Sequence, residues 1–96
     1  MPKTFNPVPV ITGQTINCPH CGDDCGLHHD RVRVWNRVED AEQGMYADVL
    51  EDSVLLGTKV GENSGNPSRR RSGLIIDFWC EICGKNSSLT IAQHKG

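Results

Sequence analysis

The sequence predicts a mainly β fold whose distant ends are joined through cysteine thiolates, and three observations predict it. Cys18-Pro19-His20-Cys21-Gly22 and Cys80-Glu81-Ile82-Cys83-Gly84 are two C-x-x-C-G turns near opposite ends of a 96-residue chain. The segment from Arg31 to Val38 alternates with a period of two, as a half-buried strand does. The remaining apolar runs are short, β-branched and bounded by Gly, Asn, Ser or Pro.

In chain order, Pro2, Pro7 and Pro9 make residues 1–10 an extended arm without helical character. Ile11 to Asn17 leads into the first cysteine turn as a short strand. From Arg31 to Val38 the alternation points Val32, Val34 and Val38 inward, and sets Arg31, Arg33, Trp35 and Arg37 on the other face. The acidic stretch 39–52 fits a short helix or the first arm of a hairpin. The hairpin is preferred, because Val54 to Val60 is strand-like and Glu51-Asp52-Ser53 can turn. Gly61 to Gly73 is a long loop carrying Arg69, Arg70 and Arg71, and loops of that length in a small domain are commonly functional. Leu74 to Trp79 is the clearest strand and runs straight into the second cysteine turn. Leu89 to His94 supplies the last one.

The order turn, strands, long loop, strand, turn, strand is that of a zinc ribbon, in which two such turns bring four sulfurs together. The 58 residues between Cys21 and Cys80 exceed the usual ribbon spacing, and an inserted β-hairpin plus the Arg-bearing loop account for the excess. Cys18, Cys21, Cys80 and Cys83 are the expected ligands of one zinc ion, since soft thiolates in a tetrahedral set are what zinc prefers. A four-thiolate shell leaves no open position, so the ion is expected to be structural. The domain reading is an arm over 1–10 and a single zinc-ribbon domain over 11–96.

Composition narrows the class. With 36% hydrophobic residues, two Trp, one Tyr and two Phe, the apolar core is thin. Structural zinc contributes roughly 10–16 kcal/mol of apparent binding free energy to folding, which would support such a core. Five cysteines, four of them in paired turns, favour reduced thiolates over a disulfide framework. Without an apolar leader, or an apolar run near the ~18 residues that span a membrane, the expectation is a cytoplasmic protein. No small-molecule site is evident.

The net charge of −2 argues against a uniformly basic nucleic-acid binder, but the charge is segregated. Six acids and no Lys or Arg lie between Glu39 and Asp52, with arginines on either side. Arg31, Arg33, Trp35 and Arg37 form one candidate contact face, where guanidiniums neutralise phosphates and an exposed Trp stacks on a base. The alternative is that the arginine stems simply pack over the ring on a solvent face. Arg69, Arg70 and Arg71 form a second candidate, as a phosphate or carboxylate clamp. They could equally neutralise the acidic stretch within the molecule. Those acids could instead dock into a basic partner groove, as an inhibitor or adaptor would.

Cys25 stands outside the two pairs and could join His20, His28 or His29 in a second small site, or be an ordinary thiol. His29, with Asn63 or Asn66 and then Asn86 or His94, follows the order of an HNH-like endonuclease. Three features speak against that assignment. His29 lies only eight residues beyond Cys21, the segment after Cys83 is β-prone where that motif needs a helix, and no final C-x-x-C-H follows.

A further set of residues carries a resemblance. Asn66-Pro67-Ser68, Arg70-Arg71, Gly73-Leu74, Ile76, Phe78-Trp79-Cys80-Glu81 and Cys83 run on to Leu89, Ile91 and Gln93-His94-Lys95-Gly96. Together with the first cysteine turn and Leu27-His28-His29, this pattern resembles small zinc-ribbon proteins of bacterial and bacteriophage genomes. The resemblance implies the four-cysteine metal site and no particular activity. Members carry an aromatic near position 25, so it implies no ligand role for Cys25. The functional expectation is a non-catalytic binding module for nucleic acid or a nucleic-acid-processing complex.

Overall fold

The computed structural model describes residues 9–12 and 15–94. The arm read over residues 1–10 falls outside them up to Val8. β1 (Val10–Thr12) and β2 (Thr15–Asn17) pair antiparallel as a small ladder that leads into the first cysteine turn. The main body is one five-stranded antiparallel sheet. It is built from β3 (Leu27–Asn36), β4 (Gln43–Val49), β5 (Val54–Lys59), β6 (Gly73–Cys80) and β7 (Asn86–Ala92) in the order β5-β4-β3-β6-β7. The mainly β expectation holds, and the preferred hairpin forms as β4 and β5, with Val49 opposite Val54.

β3 and β6 are the central pair and run toward the cysteines, with Leu27 opposite Cys80 and Trp35 opposite Gly73. The β3–β6 register shifts between His29 and Arg31. Such an irregularity changes which residues face which side of the sheet, so the alternation read from Arg31 onward does not extend back to His28.

Cross-strand register assigns the two faces of the sheet. One row runs Gly57, Tyr46, Trp35, Gly73, Ala92 and the next runs Leu55, Asp48, Arg33, Ile75, Thr90. The core sits on this face. Trp35 is only 2% exposed and packs on Tyr46, with ring centroids 5.2 Å apart. Its indole N–H donates to the Ser64 carbonyl at 3.3 Å, and Val60 is fully buried nearby in the chain. The cover is the loop between β5 and β6, which includes a 3-10 turn at Glu62–Ser64. Asn66 holds that loop closed, donating from one amide nitrogen to the carbonyls of Val60 and Arg71 at 2.9 Å each. Gly73 cannot be replaced cheaply, because a Cβ there would run into the Asn66 amide and the Pro67 ring.

Two expectations from alternation are corrected. Trp35 does share a face with the arginines, but that face is covered by the loop, so the ring is core rather than surface. Val38 is 79% exposed rather than inward. β3 ends at Asn36, and Val38 belongs to a turn in which Ala41 N–H donates to its carbonyl and Asp40 takes a φ of 62°. The final strand also starts earlier than expected, because the polar run Asn86-Ser87-Ser88 pairs with Trp79, Phe78 and Asp77.

Candidate metal centre and charged surface

Each cysteine turn is built by the same pair of backbone bonds. Gly22 N–H donates to the Cys18 carbonyl at 2.9 Å, and Gly84 N–H to the Cys80 carbonyl at 2.8 Å. Cys18 N–H then donates to Asp23, and Cys80 N–H to Lys85, closing each turn on itself. Both glycines lie at left-handed φ, 79° at Gly22 and 73° at Gly84, where a side chain would be strained. The first turn precedes the strand pair and the second ends β6, so the β3–β6 ladder brings them together. Glu81 N–H donates to the Gly26 carbonyl, and His20 Nε2 donates to the Asn86 carbonyl at 2.8 Å, tying the two turns to each other's neighbourhoods.

The four sulfurs of Cys18, Cys21, Cys80 and Cys83 all lie within 4.8 Å of one another, and they can hold a metal ion. Cys18 Sγ is 3.7 Å from Cys83 Sγ, and Cys21 Sγ is 3.8 Å from Cys80 Sγ. A tetrahedron with metal–sulfur bonds of about 2.3 Å has edges of about 3.8 Å, which the Cys18–Cys83 and Cys21–Cys80 separations match. The alternative of a disulfide would need sulfurs at roughly 2.05 Å.

The thiols respond to one another. Burial pushes the Cys18 thiol up, but the amides of Cys21 and His20 and the thiols of Cys21 and Cys83 outweigh it and bring it down to about 6. At Cys21 the Asp23 amide pulls downward, while burial and the crowding of Cys18, Cys80 and Cys83 push it up to about 12. Cys83 is also raised: burial and its Cys18 and Cys80 neighbours outweigh the Lys85 amide. The pocket therefore stabilises one thiolate and resists the next. A cation at the centre removes that resistance.

Cys25 lies outside the cage. Its exposed thiol donates to Asp24 Oδ1 at 3.2 Å, and that carboxylate pushes its pKa up. Among the described residues no other group of three or more His, Cys, Asp or Glu is spaced to hold an ion. His28 stacks on Trp79 at 4.9 Å and pairs with Glu81 at 3.2 Å, while His29 is exposed.

The arginines singled out from the sequence are mostly engaged within the molecule. Arg31 forms a two-bond fork on Asp48, at 2.9 and 2.7 Å, and Arg33 reaches Asp77 at 2.9 Å. These pairs cross: in the ladder Arg33 stands opposite Asp48 and Arg31 opposite Asp77. On the loop, Arg70 forks onto Asp40 at 2.8 and 2.7 Å, and Arg71 bonds Glu39. The Arg37 guanidinium donates to the Arg69 carbonyl at 3.5 Å, and its backbone N–H donates to Ser72 Oγ at 3.3 Å. The intramolecular alternative for the loop arginines is thus realised at Arg70 and Arg71. Sequence reasoning passed over Trp79, which is 40% exposed. No alternation in Leu74 to Trp79 signals it; the fold turns Trp79 outward between the buried Phe78 and Cys80.

The Arg31 guanidinium beside Asp48 is the main cause holding that carboxyl below its ordinary value of 3.8. A depressed carboxyl contributes stability that is full above that ordinary value and fades as pH falls through the lower folded value. Asp48→Asn is expected to cost about 1–2 kcal/mol at pH 7 in urea denaturation, a modest figure because solvent partly screens the half-exposed Arg31. The gap between wild type and variant should close below pH 4.

No protein-family model, curated protein or solved structure matches the chain.

Proposed function

We propose that the chain is a non-catalytic zinc-ribbon module that holds one structural zinc ion and contacts nucleic acid, or a complex that processes it, through its arginine-bearing loop. The observation that carries the reading is the convergence of the four cysteine sulfurs within 4.8 Å. Four soft thiolates at tetrahedral spacing suit zinc, and a shell closed by protein ligands leaves no position for water or substrate. The ion's work is then to join the first cysteine turn to the end of β6.

The loop supports the second half of the reading. Arg69 and Arg70 are exposed, and a cleft of about 480 Å³ beside them is lined by Asn66, Ser68, Gln93 and His94 as well as the arginines. Solvent-exposed ion pairs such as Arg70–Asp40 are weak, so a phosphate can compete for the guanidinium. Arg37 lies alongside through its bond to the Arg69 carbonyl. Arg31 and Arg33 contribute less, being held by Asp48 and Asp77. With Trp35 in the core, an exposed aromatic is Trp79, whose ring already stacks on His28.

Binding of short single- and double-stranded DNA and RNA, followed by fluorescence anisotropy across a salt series, tests this. Wild type should bind at low salt, and Arg69→Ala/Arg70→Ala/Arg71→Ala should bind more weakly. The slope of log K against log salt should fall by about two to three. No binding by wild type at low salt would remove the nucleic-acid role. A second reading, docking onto a basic protein surface through the acidic stretch 39–52, is favoured by a recess where, among the described residues, Asp30, Glu51, Asp52 and Asp77 outnumber the one cation, Arg31. That reading would then stand in its place.

A further inference from the structure

The face of the sheet opposite Trp35 is apolar from edge to edge. One cross-strand row runs Leu56, Ala47, Val34, Leu74, Ile91, and the next runs Val54, Val49, Val32, Ile76, Leu89. Neither row contains a polar or charged side chain. The central residues are half-buried by their neighbours within the sheet, but Met45, Val49, Val54, Leu56 and Ile91 are between 39% and 76% exposed. Among the described residues of this face, Phe78 and Ser87 at its cysteine end are buried. A sheet apolar on one face is stable when another layer covers that face. Among the described residues the loop that makes the core covers the other side.

We propose that this face is the interface of a homodimer, in which two copies pack sheet against sheet across a two-fold axis. Three arguments select a second copy of this chain as the occupant. From the exposures of these side chains the apolar surface is on the order of 500 Å² per chain, in the upper part of the range of the largest patch on an ordinary monomer, and two copies would bury about 1,000 Å², the lower bound for a specific interface. Interfaces between identical subunits are the more apolar class, whereas partners that come and go meet through surfaces of mixed polarity. A two-fold axis sets the same patch of each copy against the other, and two apolar sheet faces pack about 10 Å apart as an aligned sandwich. Arg31, Arg33, Asp48 and Asp77 pair with one another on the covered face, while Asp30, Glu51 and Asp52 border the contact only at its cysteine end, beside Phe78 and Ser87.

The experiment is sedimentation equilibrium of the metal-loaded full chain at tens of micromolar. Wild type should sediment at about twice its 10.6 kDa mass. Val54→Lys/Leu56→Lys should sediment as a monomer while keeping its metal content and β circular dichroism. Leu55→Lys, one residue away on the opposite face, should remain dimeric. Ile91→Lys, at the far end of the same row as Leu56, provides a second disruption should the double variant fail to fold. A monomeric wild type overturns the proposal. So does a folded face variant, either the Val54/Leu56 pair or Ile91→Lys, that stays dimeric, or disruption by Leu55→Lys alone.

Discussion

Cys80→Ser is expected to abolish metal binding and, with it, the cooperative unfolding of the domain. Cys80 is completely buried at the end of β6, and its sulfur sits 3.8 Å from that of Cys21. A metal ion held by the four sulfurs would bind the first cysteine turn to the end of β6. In Cys80→Ser only Cys18, Cys21 and Cys83 of that set remain, and three thiolates no longer close a four-coordinate shell. The core is small: among the described residues Trp35, Val60 and Phe78 are the buried hydrophobic side chains apart from Cys18 and Cys80. Apparent binding free energies for structural zinc, about 10–16 kcal/mol, match or exceed the whole stability of an ordinary domain, about 5–15 kcal/mol. The expected result in circular dichroism is a broad, non-cooperative melt for Cys80→Ser. Cys25→Ser, at the exposed thiol outside the cage, should melt like wild type.

The second large effect concerns Trp35. Trp35→Ala should lower stability by about 3–5 kcal/mol, the usual cost of deleting a buried indole. For a domain of this size that is a fall in melting temperature on the order of 15 °C. The loss has three parts: the ring's contact with Tyr46, its hydrogen bond to the Ser64 carbonyl, and the floor on which the β5–β6 loop rests. Metal content should be unchanged, because the cysteines lie at the opposite end of β3. A surface Trp used for stacking on bases would behave in the reverse way, weakening binding while changing stability by less than about 0.5 kcal/mol. The two measurements together place the ring.

The pairs of results that were legible in the sequence share a property: their causes are local. C-x-x-C-G encodes its own turn, since the glycine at left-handed φ and the amide bond back to the first cysteine need no distant partner. Leu74 to Trp79 is apolar enough to be a central strand in any context. Trp35 was not legible, because alternation gives the side of the sheet and says nothing of what covers it. Its cover comes from Ser64 and its neighbours, 29 residues away, arranged by Asn66. The loop arginines pose the same difficulty. Their partners Glu39 and Asp40 are about 30 residues off, and Asp40 N–H is fixed by the Arg70 carbonyl, a contact that only the folded chain creates. Val38 failed for a nearer reason, as the strand stopped two residues short at a turn that places Asp40 at positive φ.

Metal content bears most directly on the central claim that the two cysteine turns form one four-thiolate zinc centre. Plasma emission analysis of the purified chain, paired with the absorption spectrum after cobalt replacement, reads both stoichiometry and geometry. The prediction is one zinc per chain, none in Cys80→Ser, and cobalt bands of a tetrahedral thiolate site. A chain that folds with no bound metal, or that retains its metal in Cys80→Ser, would contradict it.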